Sequence, residues 1–208
     1  PFAGFDFVAY SLFRILFIRE GPFPFEVLAS FFKSLEVKLL SCCDALSSSD
    51  GFRYDIVDLT RQVLADYASV LQQNAARAFK NGDIQAYKTA SGELLTLIDE
   101  LEKLLGTREE FLLGRWLGDA RRMGKTQEEK NLYEHNARNL IGCWGDRNCR
   151  IKDYACRQWN GMMSGYYHKR WEMFFNETIS ALEKGEEFDF KAFEERCKDF
   201  EWEWTFSN

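Results

Sequence analysis

The sequence predicts an all-α protein, a bundle of six or seven helices. Apolar residues recur every three or four positions over most of the chain, which is the period of helices with one buried face. Only three prolines occur among the 208 residues, and none lies beyond position 24, so that no proline interrupts a later helix. Glycine stops followed by N-capping residues divide this long helical stretch into separate elements.

The N-terminal segment, residues 1–24, stays unassigned. Its apolar run over residues 7–18 is too short to span a bilayer, and Arg14 lies in its middle. Asp6 stands where a signal peptide would need a basic residue. We therefore expect residues 1–24 to be the remnant of a preceding region, and residues 25–208 to form the helical domain.

Capping signals mark several ends of the helices expected in that domain. Their expected positions are residues 27–46, 55–79, 83–105, 107–123, 126–140, 152–184 and 190–202. Asp55 and Asp83 are candidate N-caps, because a short polar side chain at that position accepts a hydrogen bond from the first turn. The expected capping boxes are Thr107 with Glu110 and Thr126 with Glu129. A Ser-rich turn over residues 47–51 ends the first helix.

Charge and motif content exclude several classes of function. The chain has 27 basic and 33 acidic residues, and this net charge of −6 argues against nucleic acid and anionic membranes as partners. No phosphate-binding loop, zinc-protease motif or nucleophile elbow occurs. The acidic residues between positions 183 and 203 are interpreted as solvated helix faces. The two histidines lie far from any pair at zinc-ligand spacing, so we expect no metal and no cofactor.

The six cysteines form no CxxC pair and are interpreted as unpaired thiols. The alternative is a local disulfide among Cys143, Cys149 and Cys156, which would close the loop around Trp144. Three clustered cysteines would then leave one unpaired.

An aromatic pair is the main candidate for a binding surface. Trp144 lies in a glycine-flanked loop expected over residues 142–150, and Tyr154 follows at the start of the next expected helix. Exposed aromatic faces on such loops can stack on sugar rings. The alternative is that Trp144 folds back onto the bundle as part of the core. The residues alone leave both interpretations open.

Five ordered motifs narrow this choice. They occupy residues 52–62 (FRYDIVDLTRQ), 111–117 (FLLGRWL), 133–138 (YEHNAR), 153–161 (DYACRQWNG) and 166–171 (YYHKRW). In this order and spacing, the stretch from about residue 27 to the end closely resembles the C-terminal helical domain of the α-N-acetylglucosaminidases, glycoside hydrolase family 89.

The resemblance implies one part of a three-part enzyme, made of a small α/β domain, a (β/α)8 barrel and this helical bundle. Such enzymes remove terminal N-acetylglucosamine from α-linked glycans, heparan sulfate among them, and retain the anomeric configuration. In the family both catalytic carboxylates belong to the barrel. We therefore expect no catalytic residue in this chain, which alone would be inactive, and a lysosomal, secreted or periplasmic location.

The resemblance also assigns a substrate-binding role to three residues. Trp144, Tyr154 and Ile151 would form one wall of the pocket for the terminal sugar, next to the barrel domain of the same enzyme. Many family members have another residue, often Asn, where Cys156 stands, and Pro where Asp146 stands, so the shape of this loop differs among them. The alternative is a stand-alone helical interaction module that derives from this domain and lacks catalysis.

Overall fold

A computed structural model describes the backbone of residues 25–207 and the side chains of residue 30 and residues 33–207. The unassigned segment, residues 1–24, lies outside the described residues. The described part contains eight α-helices: α1 (Phe25–Leu40), α2 (Cys43–Leu46), α3 (Asp50–Lys80), α4 (Ile84–Leu105), α5 (Leu113–Arg122), α6 (Gln127–Ile141), α7 (Lys169–Lys184) and α8 (Phe190–Trp204). A 3-10 turn, Glu109–Phe111, precedes α5, and a π-helix, Met163–His168, leads into α7. Over residues 25–207 there is no β-strand, which confirms the all-α prediction; α2 is a single turn, and the seven longer helices agree with the expected number.

The long hairpin of α3 and α4 forms the centre of the bundle. α4 packs against α3 on one side and against the π-helix and α7 on the other. Its inward positions follow the helical period, so that side chains one turn apart fall on the same face. The α4 residues without any exposed surface are Tyr87, Leu94, Ile98, Leu101 and Leu105. No helix among the described residues has both the length and the hydropathy needed to cross a bilayer.

Much of the aromatic content lies in one cluster beneath α7 and α8. The ring centroids of Trp171 and Phe175 are 5.2 Å apart, and those of Phe174 and Phe193 are 5.4 Å apart. All four side chains are buried. Large rings in such tilted and stacked contacts supply much of the buried area of the bundle.

Two of the expected helix starts are confirmed. Oδ1 of Asp83 accepts a hydrogen bond of 3.0 Å from the Ala86 amide, and Gly82 before it has the left-handed φ of 68° that favours glycine. At the start of α6, the Glu129 amide donates to Thr126 Oγ1 over 3.2 Å, and Glu129 Oε2 accepts from the Thr126 amide over 3.2 Å. This reciprocal pair is the expected capping box.

The first boundaries of the domain differ from the expectation. The helix expected over residues 27–46 is interrupted between α1 and α2. Asp55 is not an N-cap, because α3 begins earlier, at Asp50, and Ser49 Oγ accepts from the Phe52 amide over 3.4 Å. The earlier start brings Phe52 into the helix and buries its ring.

The capping box expected at Thr107 is also wrong. Thr107 Oγ1 donates to a carbonyl of the last turn of α4 over 2.6 Å, and Glu110 pairs with Arg108 instead of closing the box. α5 begins only at Leu113, whose amide donates to the Asn160 carbonyl over 3.0 Å. A partner 47 residues away in the chain therefore replaces the local cap.

The long helix expected over residues 152–184 begins later in the structure than predicted. The chain is irregular as far as residue 160, and Asp153 has a φ of 56°, which a right-handed helix does not allow. Regular structure begins where the Glu102 carboxylate of α4 accepts hydrogen bonds from the amides of Gly161 (2.7 Å) and Ser164 (3.1 Å). A carboxylate at a helix N-terminus satisfies amides that have no partner within the helix.

Candidate functional site

The three residues that the sequence analysis assigned to a pocket wall lie in one irregular segment between α6 and the π-helix. Trp144, Ile151 and Tyr154, which we call the rim residues, are 41%, 45% and 64% exposed. The ring centroids of Trp144 and Tyr154 are 5.4 Å apart, and the two ring planes are inclined at 51°. The structure therefore brings the two rings together at the surface, and Trp144 is not part of the core. Tyr154 lies in a turn and not at a helix start as expected.

Trp144 is held in place by the last turns of α6. The Asn139 amide side chain forms two hydrogen bonds with Gly145, since Nδ2 donates to the Gly145 carbonyl (2.9 Å) and Oδ1 accepts from the Gly145 amide (3.1 Å). The Trp144 amide donates to the Asn139 carbonyl over 2.7 Å. These three bonds fix the backbone on both sides of the Trp144 side chain.

The backbone around the rim adopts unfavourable conformations. Trp144, Asp153 and Cys156 have φ angles of 62°, 56° and 45°, and they are the only residues other than glycine with positive φ among the described residues. Such conformations cost about 1–3 kcal/mol each and persist only where the surrounding structure enforces them. All three lie within 13 residues, so the strain is concentrated in this segment.

Beneath the rim, four charged side chains form a buried cluster that we call the anchor cluster: Lys152, Asp153, Arg170 and Glu201. Arg170 Nη1 donates to Asp153 Oδ2, and Arg170 Nε lies 3.1 Å from Glu201 Oε1. Lys152 Nζ donates to Glu201 Oε2 over 2.6 Å. The Asp153 amide also donates to the Gly142 carbonyl over 2.8 Å, which joins the two ends of the loop.

The anchor cluster balances two cations against two carboxylates in a largely buried site. Burial raises the pKa of the Asp153 carboxyl to about 6, against an opposing effect of the Arg170 guanidinium. Burial by itself would lower the pKa of Arg170, but the Asp153 and Glu201 carboxylates raise it well above its ordinary value. Arg170 is therefore charged at every physiological pH and holds both carboxylates.

Two buried thiols lie close to the anchor cluster. Burial raises the pKa of Cys143 to about 11 and that of Cys197 to about 12, so both remain protonated and poorly nucleophilic at neutral pH. Within the described residues, neither Cys143 nor Cys149 forms a disulfide. The alternative prediction, a disulfide that closes the loop around Trp144, is therefore wrong.

This arrangement can hold an uncharged ring but supplies little chemistry of its own. Two exposed aromatic rings and one aliphatic side chain suit the C–H faces of a sugar. The closest carboxylates beneath the rim, Asp153 and Glu201, are buried and paired. No group of three metal-ligating side chains comes together in the part of the chain that the structure describes.

A family model described as the C-terminal domain of alpha-N-acetylglucosaminidase matches residues 28–208. The chain belongs to this family. Human alpha-N-acetylglucosaminidase is 32% identical over 164 residues, an alignment that covers 78% of this chain and 22% of the human protein. The resemblance predicted from the five motifs is thus confirmed.

Solved structures of family 89 glycoside hydrolases from Clostridium perfringens share the fold. One, in complex with 2-acetamido-1,2-dideoxynojirmycin, matches with a TM-score of 0.79 and 34% identity over 86% of this chain and 21% of the bacterial chain. Another, a variant in complex with its substrate GlcNAc-alpha-1,4-galactose, matches with a TM-score of 0.77 and 36% identity over 86% of this chain and 20% of that chain. The chain spans about one fifth of the length of these relatives.

For this alpha-N-acetylglucosaminidase C-terminal domain, the sequence analysis named the rim residues but missed what supports them. Asn139 lies outside all five motifs, so nothing in the sequence marks it. Arg170, in contrast, lies inside a motif, and a charged residue in the apolar period of a helix is a usable signal. Arg170 stands directly before the buried Trp171, which is the kind of position where a cation needs a buried partner.

Proposed function

We propose that this chain is the helical domain of a retaining exo-α-N-acetylglucosaminidase and forms one wall of the pocket for a terminal α-linked N-acetylglucosamine. The observation that carries this proposal is the exposed pair of Trp144 and Tyr154, 5.4 Å apart on a braced and strained loop. Ile151 adds an apolar surface in the same segment. Aromatic rings that lie side by side at the surface offer a flat apolar face to a ligand or a partner.

The catalytic carboxylates belong, in this proposal, to a barrel domain that is not part of this chain. A retaining glycosidase needs two carboxyl groups about 5–5.5 Å apart, one as nucleophile and one as acid/base. Asp153 and Glu201 cannot serve, because both are buried and engaged by cations. The domain of residues 25–208 therefore shapes the pocket and is inactive alone.

The ligands of the solved relatives support the proposed substrate class. The names of two of them carry an acetamido group or N-acetylglucosamine, and one complex holds an α-1,4-linked disaccharide. An aromatic wall beside such a sugar offers stacking, while hydrogen bonds to the hydroxyls come from elsewhere in the pocket. Heparan sulfate is one candidate glycan. The family membership also supports a lysosomal, secreted or periplasmic location.

The experiment is the substitution Trp144→Ala in the complete polypeptide that carries this domain. We expect kcat/KM for a chromogenic α-N-acetylglucosaminide to fall about 10- to 100-fold, because a displaced sugar leaves the reactive geometry. The thermal midpoint should change little, since the side chain is half exposed. Tyr67→Ala is the matched control, as Tyr67 is an aromatic of similar exposure (51%) on α3, outside the rim segment.

The size of the native gene product separates the proposal from its rival. An immunoblot band several-fold heavier than the 24.4 kDa of this chain supports the enzyme. A single band at that mass would favour the stand-alone interaction module and overturn the catalytic proposal. Equal losses of activity and stability in Trp144→Ala would mean that Trp144 is only a packing residue.

A further inference from the structure

Of the four residues 151–154, the outer two lie at the surface and the inner two point into the protein. Ile151 and Tyr154 are exposed, whereas the side chains of Lys152 and Asp153 between them are only 15% and 1% exposed. The two inner side chains point to the anchor cluster and bind Glu201 and Arg170. The rim residues are thus attached to the bundle through their direct neighbours.

The partners of these two residues lie on separate helices. Arg170 belongs to α7, Glu201 belongs to α8, and the guanidinium of Arg170 lies between the two carboxylates. The Arg170 guanidinium also lies 5.2 Å from the centroid of the Tyr166 ring, in the π-helix. Because the arginine fork is planar and fully buried, it leaves the segment little freedom to shift.

The segment has no helical hydrogen bonds that could hold the rim residues in place of these ion pairs. Residues 151–160 have no regular secondary structure apart from a turn and one isolated bridge. In such a segment the position of a side chain depends on a few polar contacts rather than on a ladder. Those contacts are buried, where charged hydrogen bonds are strong and where the loss of one partner is costly.

We propose that Lys152 and Asp153 are positioning residues for the rim: through Glu201 and Arg170 they fix where Ile151 and Tyr154 meet the sugar. This inference rests on the proposed function for its effect on turnover, but the anchoring itself does not. Neither residue touches the substrate. Their contribution is to keep the wall at one distance from the sugar, which holds the reacting centre in line with groups supplied by the barrel.

The test is Lys152→Met in the complete polypeptide, which keeps most of the length of the side chain and removes its charge. We expect kcat/KM to fall about 10-fold or more, chiefly through KM, because the wall becomes loose and binds the sugar less well. Hydrogen exchange of the amides in residues 142–156 should become faster. Lys152→Arg, which can still pair with Glu201, should restore both values.

Two control variants separate this role from a general loss of stability. Lys88→Met removes the same charge from an ion pair with Glu183, between α4 and α7, away from the rim. Thr178→Val removes a buried hydroxyl that is hydrogen-bonded to Tyr87 over 2.8 Å. Neither control should change KM or the exchange of residues 142–156.

The outcomes distinguish this inference from the proposed function. If Trp144→Ala lowers kcat/KM while Lys152→Met behaves like the controls, the positioning role is overturned and the pocket wall remains. If exchange over residues 142–156 is unchanged in Lys152→Met, the anchoring is overturned whatever the activity. If Trp144→Ala leaves kcat/KM unchanged, the proposed function is overturned, and with it the role of the anchor cluster at a sugar pocket.

Discussion

The α3–α4 hairpin and the segment of residues 142–161 are stabilised by different kinds of contact. The hairpin holds its shape through many apolar contacts that recur with the helical period, and its ends carry local caps. The segment has no period and three strained residues, and its shape depends on a few polar bonds to Asn139, Arg170 and Glu201.

The difference shows where a single substitution has a local effect and where it has a distributed one. In the hairpin, the loss of one contact leaves the neighbouring turns in place, because each turn is held by its own hydrogen bonds. In the segment, each polar bond holds several residues on its own. We therefore expect substitutions in the hairpin to change stability alone, and substitutions around the segment to change its local structure as well.

The largest effect is expected for Arg170→Met. The free energy of unfolding should fall by about 3–5 kcal/mol, because the Asp153 and Glu201 carboxylates stay buried without their shared cation. Urea unfolding of the wild type and the variant measures this difference. A decrease of less than about 1 kcal/mol in the free energy of unfolding would contradict this expectation. It would mean that water can reach the two carboxylates after a small rearrangement of the segment.

A smaller and more local effect is expected for Asn139→Ala. Removal of the side-chain amide leaves two backbone groups of Gly145 without their partner and should cost about 1–2 kcal/mol. Exchange of the amides at residues 143–146 should rise more than the global stability falls. Asn136→Ala, an exposed position one turn earlier on α6, is the control and should leave both values unchanged.

In the hairpin, Ile98→Val should cost about 0.5–1.5 kcal/mol, since one methylene is removed from a fully buried site. Exchange over residues 142–156 should stay at the wild-type level. Faster exchange there would mean that the segment depends on core packing in the same way as the helices, and the two regions would not differ as described.

A further prediction is a dependence on pH. The pKa of Asp153 is about 6 in the folded protein against 3.8 as the reference for the unfolded chain, so the native state binds more protons between these values. Stability should therefore fall as pH rises from about 4 to about 6. Exposed carboxylates with a lowered pKa, such as Asp50, act in the opposite direction and at lower pH.

The variant Asp153→Asn isolates this contribution. Its unfolding free energy, measured at several pH values between 4 and 7, should lack the downward slope that the wild type has in that window. Parallel curves for the two proteins would contradict the raised pKa of Asp153.

The same contrast explains what could be predicted from the sequence. The α3–α4 hairpin, Asp83 and the capping box at Thr126 rest on signals between residues a few positions apart, and these were found. The start of the π-helix depends on Glu102, some 60 positions earlier, and the conformation of Asp153 depends on Arg170, so neither leaves a local signal. Trp144 and Tyr154 were candidates from the residues alone, and the family resemblance added Ile151 and the role as a pocket wall. Their support by Asn139, Asp153 and Glu201 could be seen only in the structure.

Residues 151–154 also divide into two outer and two inner positions, and substitutions at the two kinds of position have different consequences. Substitutions at Ile151 and Tyr154 alter the surface offered to a ligand and leave the ion pairs below untouched. Substitutions at Lys152 and Asp153 break the ion pairs and change where that surface lies, but leave its side chains the same. An engineer who wishes to change the ligand preference of this domain can therefore randomise the two outer positions while the two inner positions are kept.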